Sequence, residues 1–586
     1  MRLLFNIASA FFLILLTTAC AKQSSPMGGP KDEDPPVLLN TDPENNQTNL
    51  SPDQLNLFFN EFVALDNPTK QIIITPKIQT DEVEFLANKN RVNIKLNQEL
   101  EENTTYVFNF QKSIQDITEK NPAENIKLVF STGSYIDSLT ITGKIAYIQP
   151  TKNEEMKDIL VGLYQETDTT DLFTAAPYYI AQADSAGNFE ITNIKAGKFK
   201  LYAWHDENNS LKAEYRSEAH GYYSELIDIQ QNMYGFHINI FKADISDLKV
   251  NRASTAGNNF DIVLSKPPIS YDVIHPDTGT KLFARLNDRT IRLYHTEIQN
   301  DSTEISLSLR DSVGFAIDTT FYAKFEESER RPEDLEIKAN SGLNFVKTLR
   351  AELTFNKPII KVNFDSLMIK YDTAGRIPIE PYHFHFTDSS KFTQAIIEIQ
   401  IPDSLNFETY QVYLGDSSVI DIEGIPNKEK LEANYKKLKQ DRLADGISGS
   451  VDTDESPILI QLLNKKDELV QELYLENTTI FEFTKIEATD YKLRAIIDRN
   501  KNRRWDPGNF RQNTQPEPIY YFVDQETGSQ EFILRAGWTL TDIVLEKRLD
   551  TGYFPDSSKD PSSQEFDQTD EIDSFEIPEF DIHPTQ

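Results

Sequence analysis

Asp498, Asn500, Asn502 and Asp506 stand at positions 1, 3, 5 and 9 of the segment DRNKNRRWD. Short carboxylate and amide side chains at alternate loop positions can turn their oxygens inward. EF-hand-like loops surround a hard cation such as calcium in this way, with roughly six to eight oxygens. Two positions depart from that pattern: Arg503 stands where the tight turn takes glycine, and Asn509 where a bidentate glutamate closes the shell. The same residue types also make Asx-rich turns whose side chains cap their own backbone, so two readings stand. A weaker echo at the same spacing is Asp206, Asn208, Ser210 and Glu214. Trp505 lies inside the first loop; exposed, it would stack on a sugar ring, and buried, it would close the end of a β-sandwich.

Other constellations point away from catalysis. His383 and His385 are two apart in PYHFHF and would share a strand face, the simplest two-ligand zinc geometry, but no HExxH or cysteine completes a site. His205, His220 and His237 fall in one region and would need the fold to bring them together. Ser246 and Lys249 form SxxK without an SDN or KTG companion. There is no GxSxG, no P-loop and no GxGxxG opening a βαβ unit. Carboxylate pairs abound among 93 acidic residues, so abundance explains them without a glycosidase. No catalytic residue is assigned.

The elements that must hold these loops read as short strands. LNLFFNEF, QIIITP, RVNIKL, TTYVFNF and IKLVFSTG follow one another with period-two patterning, separated by Asn, Pro, Asp and Glu. That predicts an all-β chain of tandem β-sandwiches. The first module, 37–134, resembles the bacterial Ig-like domain named for S-layer proteins. The resemblance rests on Pro43, the strands Leu57 to Phe62 and Glu102 to Phe110, Asp116, and the closing VFSTG at Val129 to Gly133. The region 135–243 looks like the carboxypeptidase-regulatory or transthyretin-like β-sandwich, through LTITGKIAY, the turn Asp184 to Asn188, and GKFKL. The pair then recurs. Residues 348–435 read as a degenerate Ig-like domain, and 445–548 as a second transthyretin-like domain, in which DGISGSV echoes LTITGKI and ATDYKLRAIIDRNKN echoes AGKFKLYAWHDENNS. Between the pairs lies an additional β region, 250–347. The charge and spacing of Leu431 to Leu443 predict a short linker helix. The tail, 551–586, carries ten acidic residues against one lysine and reads as disordered.

The only cysteine is Cys20. Before it, Arg2 and the apolar run Leu3 to Leu16 read as a secretory signal over residues 1–19; with Ala19 and Cys20 it resembles a bacterial lipoprotein signal peptide, which implies Cys20 as the lipidation site, and residues 20–36 read as a Gly- and Pro-rich tether. The charge of −34 leaves no basic field for nucleic acid. With GGPKD at Gly28 to Asp32 and Pro35 to Pro36, the arrangement resembles the Ig-like domain-containing lipoproteins of Bacteroidota. That resemblance implies an outer-membrane lipoprotein, surface-exposed or periplasm-facing, held in the membrane through Cys20. It implies a non-catalytic β-rod that contacts other envelope proteins or surface glycans. The alternative is a glycan- or peptide-binding accessory of an uptake system, and calcium is the one cofactor candidate.

Overall fold

In the computed structural model, residues 33–149, 156, 158–297, 301–548 and 550–555 are described. The signal peptide, Cys20, most of the tether and nearly all of the acidic tail lie outside them. The fold is all-β with several Ig-like layers, and its only α-helix among the described residues is Pro68–Gln71. No helix among them is long and apolar enough to cross a membrane.

The chain divides into two compact units. The first takes residues up to Leu139 with the short pieces Tyr178–Ile180 and Thr192–Lys195. In it, the antiparallel sheet Leu38–Asp42, Gln54–Phe59, Arg91–Leu96, Val83–Asn88 faces a three-stranded sheet of Ile73–Thr75, Thr105–Asn109 and Lys127–Ser131. Alternation decides which residues go inside: Leu55, Leu57 and Phe59 are buried from one strand, Val92 and Ile94 from its neighbour. Phe130 stacks on Tyr106 and Phe108 at the centre. A small pair, Val63–Leu65 with Ile114–Asp116, ends in a turn organised by Asp116. That carboxylate accepts from the amides of Thr118, Glu119, Lys120 and Asn121. Desolvation works to raise its pKa, and these donors outweigh it, holding the group at about 2.

The second unit contains the remaining sheets. One sandwich combines the parallel strands Leu139–Tyr147 and Met233–Ile240 with a sheet that includes Ile159–Gln165, Gly197–His205 and His220–Tyr222. The arrangement recurs near the end of the chain. Leu443–Val451 runs parallel to Thr539–Lys547, while Ile458–Asn464, Asp490–Ile497 and Ile519–Tyr521 pair antiparallel. Gly143 and Gly449 hold matching places at a register shift in the parallel pairs. A Cβ there would lie 2.0 Å from the Phe236 carbonyl oxygen or 2.1 Å from that of Ile543, so only glycine fits.

Between these sandwiches, Val250–Ala256, Asn259–Leu264, Thr290–His295 and Leu282–Asn287 pack on Ser270–Ile274, Thr303–Arg310 and Ala316–Ala323. The next layer pair is built on Thr348–Phe355 and Thr409–Leu414. It repeats the small strand pair of the first unit as Ile359–Val362 with Val419–Asp421, and Asp421 again turns the chain by accepting from the amides of Glu423 and Ile425.

Three expectations are corrected. Leu431–Lys437 is a strand paired with Thr409–Leu414, and only a single 3-10 turn, Gln440–Arg442, follows. Ala433, Tyr435 and Lys437 alternate inward, and the neighbouring edge outweighs the helical propensity of the lysines and glutamates. The fourth layer pair begins before 348, because Ile337–Ala339 and Asn344–Phe345 pair within its sheets. The tail is ordered at its start: Gly552–Tyr553 adds to the edge of Met233–Ile240, and Tyr553 lies 4.7 Å from Phe236.

Candidate functional site

The loop from Asp498 to Glu517 leaves the end of Asp490–Ile497 and returns into Ile519–Tyr521. Asp498 is fully buried. One of its oxygens accepts from the amide of Asn502 at 2.9 Å and the other from that of Arg503 at 2.8 Å. The bend places Lys501 and Arg503 at φ 62° and 60°, left-handed values that the carboxylate cap supports in the absence of glycine. The side-chain Nδ2 groups of Asn500 and Asn502 both donate to Oδ2 of Asp506, at 2.5 and 2.6 Å, and Arg504 pairs with its other oxygen at 3.3 Å. The four predicted residues are thus brought together.

Glu517 completes the frame. It lies outside the nine-residue pattern, yet its two oxygens accept from the amides of Arg499 and Asp506, closing the loop from behind. Burial, with Asp506 and Asp498 close by, raises its pKa to about 7. Trp505 is half-buried, and its indole N–H donates to the Glu517 carbonyl at 3.0 Å, so it packs on its own loop.

The earlier echo has the same frame. Asp206 accepts from the amides of Ser210 and Leu211, and Asn208 donates to Glu214. Glu218 accepts from the amides of Glu207 and Glu214, as Glu517 does from Arg499 and Asp506. Left-handed residues recur at Asn209 and Leu211, φ 55° and 59°. Burial raises the pKa of both Asp206 and Glu218. Glu218 and Glu517 each stand two residues before the pairing strand. That offset from the strand, rather than from the aspartate, is the signal by which the sequence shows them.

Fit to calcium can be judged from these bonds. Asp498 and Glu517 spend both oxygens on backbone amides, and Asn500 and Asn502 present nitrogens to Asp506. A cation would require both side-chain amides to turn their oxygens inward, with the half-buried Asp506 as the carboxylate that is not spent on backbone amides. Among the described residues no group of three or more His, Cys, Asp or Glu side chains has metal-holding geometry. The hydrogen bonds displayed are those of an Asx-rich turn.

Beside this loop lies a cleft of about 520 Å³, lined by Arg310, Asp311, Asn500, Asn502, Arg504 and Gln512 among others. Asp311 is neutralised from beneath by Lys266 at 2.6 Å.

The remaining candidates stay apart. His383 ends the 3-10 turn Pro381–His383 and accepts from the Glu380 amide, while His385 is an exposed strand residue. His205 bonds to Tyr147 and His237 to the Asp550 carbonyl. His220 is buried with Nε2 unpartnered, and desolvation lowers its pKa to about 4. Ser246 donates to Asp244 and Lys249 pairs with Asp247.

Residues 32–132 match the bacterial Ig-like domain family, and residues 149–213 match a family described as polysaccharide lyase family 4, domain II. No curated protein matches the chain. Among solved structures, the Bacillus anthracis TIE protein is 8% identical, with 92% of this chain and 79% of that one covered and a TM-score of 0.12. The S-layer protein rSbsC is 9% identical over 85% of this chain and 66% of that one, TM-score 0.14. The Escherichia coli adhesin FdeC is 8% identical over 70% and 99%, TM-score 0.13. Overlaps this slight carry no information on activity.

Proposed function

We propose that this protein is a non-catalytic component of the bacterial cell envelope, anchored by lipid at Cys20, whose β-sandwiches serve as a scaffold or adhesion module. The observation that carries the reading is the architecture itself: successive Ig-like and related sandwiches, the first matching a bacterial Ig-like family, with polar loops that are spent on capping their own backbone. Stacked sheets without disulfides rely on buried apolar cores, and their loops are left for contacts. Cell fractionation with a Cys20→Ala variant tests the anchor: the variant should leave the membrane fraction, and its retention there would overturn the reading. Protease treatment of intact and permeabilised cells then assigns the exposed face.

The cleft beside the Asp498 loop favours a second reading, an accessory that holds a glycan or peptide. Its polar walls offer guanidinium, amide and carboxylate groups to such a ligand. Calcium at Asp498, Asn500, Asn502 and Asp506 belongs to either reading. Calorimetry with millimolar calcium should show heat that Asp506→Asn abolishes, and no heat from the unaltered protein removes the proposal.

A further inference from the structure

The two framed loops differ in one respect. Between the ninth position and the closing glutamate, the first loop has three residues, 215–217, and the second has ten, 507–516. Six of these ten residues reach beyond their own sandwich. Phe510 sits among Phe173, Tyr202 and Tyr222, with ring centroids 5.2, 5.4 and 5.2 Å away, each edge-to-face. Asn513 donates to the Ser224 carbonyl, Gln515 to the Tyr222 carbonyl and the Ser224 hydroxyl, and Tyr222 donates its hydroxyl to the Thr514 carbonyl. Toward the middle β region, buried Asn509 donates to the Val313 carbonyl at 2.7 Å, and Arg511 pairs with Asp247 at 2.6 Å. In the first loop, by contrast, Tyr215 stacks on Phe173 of its own sandwich.

We propose that the segment 507–516, seven residues longer than its counterpart 215–217, converted one copy of a duplicated capped loop into a clamp, fixing the last sandwich against the 139–241 sandwich and the middle β region. The capped frame supplies a rigid base, and the segment projects one aromatic knob with polar contacts around it, the arrangement of an energetic hot spot inside a polar rim. The clamp also forms one wall of the cleft, so the cleft exists only while the clamp is seated.

The test uses the full chain with Cys20→Ser, carrying spin labels at Glu166→Cys and Lys466→Cys, exposed positions on the two sandwiches. Pulsed electron spin resonance should give one narrow distance distribution. Phe510→Ala, and separately Asn509→Ala with Arg511→Ala, should broaden it at least twofold while the circular dichroism stays that of folded β-sheet. Tyr215→Ala should leave it narrow. A distribution that stays narrow in both clamp variants would overturn the proposal, as would equal broadening by Tyr215→Ala. If Phe510→Ala fails to fold, Arg511→Ala with Asn513→Ala decides in its place, since both side chains are exposed at the edge of the contact.

Discussion

The loops 206–218 and 498–517 share a hydrogen-bond frame almost bond for bond and yet serve different surroundings. In both, a buried aspartate caps the turn and a glutamate before the next strand closes it. What differs is length at one place and the residue behind the frame: His220 in the first copy stands where Ile519 stands in the second, each two residues past the glutamate and opposite the strand residue two before the aspartate. The comparison teaches that the acidic pattern is first a folding device. Whatever further role a copy acquires comes from what is inserted into the frame.

The largest expected effect breaks the frame itself. Asp498→Ala and Asp206→Ala each remove a buried carboxylate that caps two backbone amides and should destabilise their sandwiches by about 3 kcal/mol, equally in the two copies, as read by urea unfolding. Unequal losses would show that the frames are alike only in outline. Next comes acid sensitivity, expected in the first copy alone. The unfolded chain protonates His220 near its ordinary value of 6.5, whereas the folded protein resists until about 4. At this residue the unfolded state therefore binds more protons across that window, and its contribution lowers stability as pH drops from 6.5 towards 4, by on the order of 2–3 kcal/mol, against the opposite slope of Asp206 and Glu218, whose raised carboxyl pKa lets the folded state take up protons first. His220→Ile, borrowing the residue of the second copy, should flatten that part of the pH profile of unfolding.

Smaller effects sharpen the contrast. Tyr222→Phe removes the hydroxyl that donates to Thr514 and should cost about 1 kcal/mol in the clamped pair, measured as a shift in the urea midpoint. Asn208→Ala and Asn500→Ala delete exposed amide contacts to Glu214 and Asp506, and each should change stability by only about 0.5 kcal/mol in calcium-free buffer. A larger loss at Asn500 once calcium is added would mark the second loop as the one that takes a cation.

Much of this site was legible because local rules govern it. Asp498, Asn500, Asn502 and Asp506 converge as their spacing predicts, and the echo at Asp206 forms the same kind of turn within its own sandwich. Glu218 and Glu517 escaped notice because each lies a different distance along the chain from its aspartate, 12 residues in one copy and 19 in the other. Strand register brings them to the same place, and register is not a property of the loop. Leu431–Lys437 failed in the opposite way: its charges suit a helix, and only the edge of Thr409–Leu414 made it a strand.

By itself, then, the order of residues determined most strands, through alternation, and the capped turns, through short acidic and amide side chains next to the amides they accept from. The tertiary structure decided which edges pair, that Phe510 has an aromatic cage to enter, and that Gly552–Tyr553 returns to Met233–Ile240 from over 300 residues away. Alternation and capping act within a few bonds of the chain. Edges and cages are made of residues far apart in sequence, whose meeting depends on the whole packed unit.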